Sequence, residues 1–107
     1  MLFYGLCEEV SSVIITEFLF DDANEEEFAT HGLSAIQVNQ ILDNRKVSFP
    51  NRRQDIHRGS YMVIGRDNGG APITVPVEAT HIATLWRPVT AWRSEGWQLT
   101  ILEKQGI

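Results

Sequence analysis

The fold is decided by residues 57–79, which read HRGSYMVIGRDNGGAPITVPVEA. Ser60–Arg66 and Ile73–Ala79 are rich in β-branched and apolar residues, which favour strands. Between them, Asp67-Asn68-Gly69-Gly70 supplies residues that tolerate the positive φ of a tight reversal. The stretch therefore predicts a β-hairpin. Because an isolated hairpin is marginal in water, the rest of the chain must extend the sheet and cover its apolar face.

Two short helices are predicted on the N-terminal side of this hairpin. Asp21 or Asp22 supplies the N-cap of a first helix, and Gly32 ends it. Ser34 caps a second helix, in which apolar residues recur at helical spacing. The corner between the helices is too short and too acidic to be a DNA-reading helix–turn–helix motif, which needs a basic recognition helix.

Three further strands and a C-terminal element are predicted around the hairpin. The apolar runs Val13–Phe20 and Lys46–Phe49 predict two strands before it. Trp86–Trp92 predicts another strand, and its Pro88 places that strand at an edge or a bulge. Ser94 is predicted to cap a final short helix, although the β-branched residues that follow leave a strand open.

The order of these elements predicts one α+β domain over residues 1–107, with residues 1–12 as an N-terminal arm. We expect a small antiparallel sheet of about four to five strands, with the two N-terminal helices packed on one of its faces. A chain of 107 residues, of which 43% are hydrophobic, is long enough for one core and too short for two.

Composition also limits the class of protein. No run is as long as a membrane span, and the N-terminal segment lacks the basic region of a signal peptide, so we expect a cytoplasmic protein with no membrane partner. The single Cys7 cannot form an intramolecular disulfide, and no Cys/His grouping has zinc-ligand spacing. We therefore predict neither a metal nor a cofactor.

Charge is distributed unevenly along the chain, whose formal net charge is −5. Residues 1–44 contain nine acidic residues and no Lys or Arg, whereas residues 45–66 contain six basic residues and one acidic residue. A local basic belt can bind a phosphate backbone at close range even in an acidic chain. The asymmetry suggests two surfaces for two kinds of partner, although solvation of acidic helices and basic loops would produce the same pattern.

Four short stretches resemble the BrnT-like family of toxins. Phe18–Asn24 (FLFDDAN) resembles the family's F-x-W-D-x-x-K/N segment, and Phe28–Ser34 (FATHGLS) resembles its K-H-G-[VI]-S/T corner. Arg58–Gly65 is similar to the R-x-x-x-I-G strand of the family, and Arg87–Arg93 is similar to its R-I-I-S-A-R strand. Three positions depart from the family pattern: Phe20, Thr30 and Trp92.

The resemblance implies a RelE-like fold and the toxin of a type II toxin–antitoxin system. Such a toxin is a metal-independent endoribonuclease that cleaves RNA to arrest growth. Its partner is a cognate antitoxin with a ribbon–helix–helix domain. The alternative is a non-enzymatic interaction module of the same fold that binds a protein partner, and a homodimer is left open.

RNA cleavage of this kind defines the residue types that the site needs. A 2′-hydroxyl attacks the adjacent phosphate, so cations must stabilise negative charge and other groups must carry protons. Guanidinium groups match phosphate geometry. The predicted catalytic residues are Arg58, Arg66, Tyr61, Glu78 and Arg87. The predicted RNA-binding residues lie in the basic loop before the hairpin and are Arg52, Arg53 and His57.

Each of these candidates has a structural alternative. An Arg at the end of a strand is often a solvated edge residue, and Glu78 can form a structural ion pair. Strand parity predicts that Tyr61 and Glu78 project from the same face, away from the helices. His31 is interpreted as part of the C-terminal turn of the first helix, and core or interface packing is expected for at least two of the three tryptophans.

Overall fold

The computed structural model describes residues 13–52 and 59–107. Within these residues the chain is α+β, with three α-helices and a six-stranded mixed sheet. The strands are β1 Glu17–Phe18, β2 Lys46–Pro50, β3 Tyr61–Arg66, β4 Pro72–Ala79, β5 Leu85–Pro88 and β6 Trp92–Arg93. The helices are α1 Asp22–Thr30, α2 Ala35–Gln40 and α3 Trp97–Lys104, and a 3-10 turn at Ile41–Asp43 follows α2. The predicted N-terminal arm lies outside the described residues.

The predicted hairpin is confirmed as β3 and β4, which pair antiparallel from Tyr61 opposite Val77 to Arg66 opposite Pro72. Asp67 organises the turn, because its Oδ1 accepts hydrogen bonds of 2.9 Å from the backbone N–H groups of Gly69 and Ala71. The local chemistry of this turn thus closes the hairpin, and the side chain of Gln40 supports it by accepting a hydrogen bond of 3.0 Å from the backbone N–H of Asn68.

The prediction of a wholly antiparallel sheet is wrong. The strand order is β1-β5-β4-β3-β2, with β6 also beside β4, and β1 pairs in parallel with β5 so that Phe18 lies next to Trp86. The predicted first strand, Val13–Phe20, contracts to Glu17–Phe18 because the chain leaves the sheet to form the N-cap of α1 at Asp21. The long connection between β1 and β5, which contains α1, α2 and the strands β2 to β4, permits the parallel pairing.

The predicted strand Trp86–Trp92 is interrupted rather than continuous. Its two parts, β5 and β6, pair with different ends of β4, and the Val89–Ala91 segment separates them. Pro88 ends β5, which lies between β1 and β4 and not at the predicted edge of the sheet, and the interruption follows it. The backbone N–H of Val89 nevertheless donates to the carbonyl oxygen of Pro76 at 2.9 Å, so the segment between β5 and β6 stays close to the sheet.

Helices cover the sheet on both faces. Phe28 of α1 and Val38 of α2 join Val63, Val75 and Val77 in one apolar cluster, and all five are fully buried. These three sheet residues share one strand face, so α1 and α2 pack on that face. On the opposite face, α3 buries Leu102 and hydrogen-bonds to Thr74 through Gln98.

The C-terminal element is the helix α3, but Ser94 is not its cap. The N-cap residue is Gly96, at φ 56°, and it offers no side-chain hydrogen bond. The Ser94 hydroxyl is instead buried 2.8 Å from the Thr74 hydroxyl.

In the part of the chain that the structure describes, no helix has the length and apolar character needed to cross a bilayer.

Candidate functional site

The predicted catalytic residues that the structure describes do not form one site. Arg66 lies opposite Pro72 on β4, whereas Arg87 lies opposite Glu78 on the same strand. The rise of a strand is about 3.3 Å per residue, so Arg66 and Arg87 are roughly 20 Å apart. Arg58, and with it Arg53 and His57, lies outside the described residues, while Arg52 is exposed.

Arg87 is held between two carboxylates. Its Nε and Nη2 donate to the two oxygens of Asp21 at 2.7 and 3.1 Å, and its Nη1 donates to Glu78 Oε2 at 2.9 Å. Two predicted residues, Glu78 and Arg87, are therefore in contact, and the third partner is the N-cap of α1. Because two negative charges offset one positive charge, this triad joins α1 to the sheet rather than offering a free cation to phosphate.

The triad shifts the pKa of its members. The hydrogen bond from Arg87 lowers the pKa of Asp21 below its ordinary value of 3.8, and the hydrogen bonds from the Asn24 and Ala23 backbones act in the same direction. Asp21 in turn raises the pKa of Arg87. The ion pair therefore remains formed at neutral pH.

This shift makes the stability of the protein depend on pH. Since the folded state lowers the pKa of Asp21, the contribution of that carboxylate is complete above about pH 3.8 and is lost as the pH falls through the lowered value. Asp21→Asn keeps an oxygen that can cap α1 but removes the charge. We expect D21N to melt below the wild type at pH 7 and this difference to shrink at pH 3.

Thermal unfolding at pH 7, 5 and 3 measures this effect. The matched control is Asp43→Asn, which neutralises an exposed carboxylate in the 3-10 turn. This variant should follow the wild type at every pH. A D21N deficit that is the same at pH 7 and pH 3 would contradict the assigned role of the ion pair.

Tyr61 and Glu78 lie on opposite faces, so the parity prediction is wrong. Residues directly opposite one another in an antiparallel pair share a face, and Tyr61 is opposite Val77 rather than Glu78. The ring of Tyr61 packs edge-on against Trp86, with ring centroids 5.3 Å apart, beside the core that α1 and α2 cover. Tyr61 is therefore a packing residue in this structure.

A hollow of about 730 Å³ lies where the C-terminal end of α1 meets β6 and the start of α3. We call it the edge hollow. Its chemically active lining consists of an imidazole, a guanidinium, a carboxylate and two indoles: His31, Arg93, Glu95, Trp92 and Trp97. None of these residues belonged to the predicted catalytic set.

His31 reaches this hollow because α1 ends at it. Its backbone N–H donates to Phe28 at 2.9 Å, which confirms the predicted place in the C-terminal turn, and Gly32 redirects the chain at φ 74°. The His31 side chain is exposed, and its ring centroid is 6.5 Å from that of Trp92. The capping role uses only the backbone, which leaves the imidazole free for chemistry.

A buried glutamine of α3, Gln98, fixes the indole of Trp92 in the lining of the edge hollow. Gln98 is 5% exposed, and its Oε1 accepts from Trp92 Nε1 at 3.0 Å and from Thr74 Oγ1 at 3.2 Å. Trp97 is 53% exposed and touches Phe49 edge-on, with ring centroids 6.1 Å apart. The hollow thus combines a fixed indole with an accessible one on which a flat ligand can stack.

Comparison with known proteins adds no assignment to this geometry. No protein-family model matches the sequence, and no curated protein matches it significantly. Within residues 13–52 and 59–107, no three His, Cys, Asp or Glu side chains group in a way that could hold a metal ion. The chemistry of the site rests on the side chains themselves.

Proposed function

We propose that this protein is the toxin of a type II toxin–antitoxin pair, a metal-independent endoribonuclease with a BrnT-like, RelE-like fold. The observation that carries the proposal is the edge hollow. It places an exposed imidazole, His31, in the same concave surface as the guanidinium of Arg93 and the exposed indole of Trp97. These are the groups that RNA cleavage without a metal requires: a proton carrier, a phosphate ligand and a stacking surface.

In this proposal each side chain has one task. An unpaired base stacks on Trp97, and Arg93 binds the adjacent phosphate. His31 accepts the proton of the 2′-hydroxyl while the 2′-oxygen bonds to phosphorus and the bond from phosphorus to the 5′-oxygen breaks. The 5′-oxygen takes a proton from water, and the imidazolium returns its own proton to solvent. The products are a 2′,3′-cyclic phosphate and a 5′-hydroxyl.

Contacts between the resembling stretches support the family part of the proposal. Asp21, in the first stretch, binds Arg87 in the last, and His31, in the second, lies against Trp92 in the last. Stretches that carry the resemblance but lie far apart in sequence are therefore neighbours in the fold, although Trp92 itself departs from the family pattern. Arg93 replaces Arg87 as the proposed phosphate-binding cation, because the charge of Arg87 is offset by the carboxylates of Asp21 and Glu78.

Induced expression in a bacterium that lacks any cognate antitoxin tests the activity. We expect growth arrest and fragmented RNA for the wild type, and normal growth with intact RNA for Arg93→Ala, since the phosphate loses its ligand. Lys104→Ala removes an exposed cation from the far end of α3 and should remain toxic. Normal growth and intact RNA with abundant folded wild-type protein would overturn the proposal.

The second candidate is a non-enzymatic module that binds a protein partner through the same fold. The neutralised Arg87 favours it, because a predicted catalytic cation is engaged in a structural contact. The same expression experiment separates the two, since a module has no toxicity to lose. Under the toxin proposal, co-expression of a neighbouring gene with a ribbon–helix–helix pattern should restore growth.

A further inference from the structure

The side-chain amide of Gln98 is oriented by its hydrogen-bond partners. Its Oε1 accepts from Trp92 Nε1 at 3.0 Å, from the backbone N–H of Glu95 at 3.0 Å and from the Thr74 hydroxyl at 3.2 Å. An indole N–H and a backbone N–H can only donate, so the oxygen of the amide must face them. The opposite orientation would set the NH2 group against both donors and leave them without a partner. The amide nitrogen is therefore fixed on the other side.

Gln98 Nε2 is the end of this amide that faces the edge hollow. Within residues 13–52 and 59–107, no hydrogen bond joins this nitrogen to another group. Gln98 is only 5% exposed, yet Nε2 is not among the described polar atoms that are buried without a partner, which are Trp86 Nε1 and Thr90 Oγ1. The nitrogen therefore reaches solvent, and the surface that Gln98 lines is the edge hollow.

The engaged oxygen makes Gln98 a donor alone. A glutamine with both ends accessible can bind adenine through its oxygen and its nitrogen together. In this structure the two lone pairs of Oε1 are already shared among three donors, so the oxygen has no capacity left for a ligand. A ligand atom that meets Gln98 must therefore be an acceptor, because an amino group would lose its water and gain no partner.

The rest of the lining indicates which acceptor fits. The exposed indole of Trp97 offers a face on which a flat ring can stack, and Arg93 offers a positive charge to a phosphate. The amide of Gln98 is uncharged and suits a neutral acceptor, such as a ring carbonyl oxygen. Glu95 also lines the hollow, but its side chain is exposed and its carboxylate remains solvated. A nucleotide whose base carries a carbonyl oxygen at its edge matches these groups.

We propose that Gln98 is a specificity-determining residue of the edge hollow and selects uracil and guanine over cytosine and adenine. The selection rests on the proposed function, because it concerns the RNA base that the hollow binds beside the reacting phosphate. Uracil O4 and guanine O6 are acceptors, whereas cytosine N4 and adenine N6, at the same positions of the rings, are donors. Gln98 Nε2 donates to the first two bases and is opposed by the other two.

Four hexanucleotides of 2′-fluoro RNA test this selection, because they lack the hydroxyl that attacks phosphorus and cannot be cleaved. Uridine is compared with cytidine, and adenosine is compared with inosine, in which a carbonyl oxygen replaces the amino group. Fluorescence anisotropy should show that the wild type binds the uridine and inosine probes roughly tenfold more tightly than the cytidine and adenosine probes, since the latter leave two donors unpaired.

Gln98→Glu keeps the shape of the side chain and replaces its donor by an acceptor. One carboxylate oxygen can keep the three internal donors while the other faces the hollow. Because a carboxylate accepts from the amino group of cytosine, we expect the preference to reverse, with the cytidine probe bound more tightly than the uridine probe. The measured quantity is the ratio of the two affinities, since the added negative charge weakens the binding of every probe.

Gln105→Glu is the matched control, because it adds the same charge at an exposed position at the C-terminal end of α3. This variant should keep the wild-type ratio. Gln98→Met, which keeps the length of the side chain without its donor, should bind the two probes of each pair alike. Thermal unfolding establishes which variants are folded at the temperature of the binding assay.

Equal binding of the two probes of each pair by the wild type, a preference that Gln98→Glu leaves unchanged, or no binding of any probe would overturn the selection. The first of these outcomes needs no variant and is decisive even where a substituted protein does not fold. Cleavage of unmodified RNA is scored separately. A protein that cleaves RNA but binds the uridine and cytidine probes alike refutes the selection alone, whereas a Gln98-dependent preference without cleavage refutes the proposed function alone.

Discussion

Replacing His31 by alanine is expected to lower RNA cleavage by roughly two to four orders of magnitude, the range that follows the loss of a general acid or base. The fold should survive, because His31 ends α1 through its backbone N–H and its side chain is exposed. Loss of activity with an unchanged melting temperature would place the imidazole in the reaction rather than in the core.

Single-turnover cleavage of a labelled RNA by purified protein measures this loss. The matched control is His81→Ala, which removes an exposed imidazole from the loop between β4 and β5. His81→Ala should cleave at the wild-type rate. A His31→Ala rate within about threefold of the wild type would contradict the mechanism, because an essential proton carrier contributes far more than that.

Replacing Asn24 by alanine is expected to lower the free energy of unfolding by about 2–4 kcal/mol. Asn24 is fully buried, and its Nδ2 donates to the carbonyl oxygens of Leu19 and Pro88 at 2.9 and 3.0 Å. Its Oδ1 accepts from the backbone N–H of Asp21 at 2.9 Å. One side chain therefore joins the end of β1, the cap of α1 and the end of β5, and alanine would leave all three backbone groups without their partner.

Denaturant unfolding of the variant and the wild type measures this cost. Asn39→Ala, at an exposed position of α2, removes the same amide from the surface and should change the stability by no more than about 0.5 kcal/mol. Asn24→Asp should be at least as damaging as Asn24→Ala, because it places a carboxylate against two carbonyl oxygens. Equal stability of Asn24→Ala and Asn39→Ala would refute the structural role.

The parts of the fold that the sequence could predict are those with local causes. Asp21 forms a reciprocal capping box with Asn24, and Ser34 forms one with Gln37, so the starts of α1 and α2 lie where their capping residues indicated. The alternation of apolar residues in β3 and β4 and the turn chemistry between them predicted the hairpin in the same way. Such signals act within a few residues and can be recognised without any partner.

The parts that the sequence could not predict depend on distant partners. Glu17 pairs with Leu85, and nothing near either residue specifies a parallel neighbour. The face of Tyr61 follows from its register against Val77, which shifts to the other face with a slip of one residue. The edge hollow likewise combines the end of α1 with a segment that follows β5, so composition and spacing did not reveal it.

The structure also explains why one resembling stretch contains the residues that it does. Phe18 is buried beside Trp86, and Phe20 packs edge-on against both Phe18 and Phe28. Asp21 and Asn24 of the same stretch form the capping box, and both also hydrogen-bond to β5, Asp21 at Arg87 and Asn24 at Pro88. The F-x-F-D-x-x-N pattern is therefore a set of packing and capping residues, and the proposed chemistry lies nearby at His31.

The pairing of β1 with β5 also affects the order in which the parts of this fold form during synthesis. The backbone N–H of Thr16 donates to Thr84, 68 residues later, so the first strand has no partner until most of the chain has been translated. The edge hollow is completed later still, when Trp92 and Gln98 emerge. Contacts of such long range form late, and a nascent chain that has not yet reached Trp92 and Gln98 therefore lacks the proposed ribonuclease site.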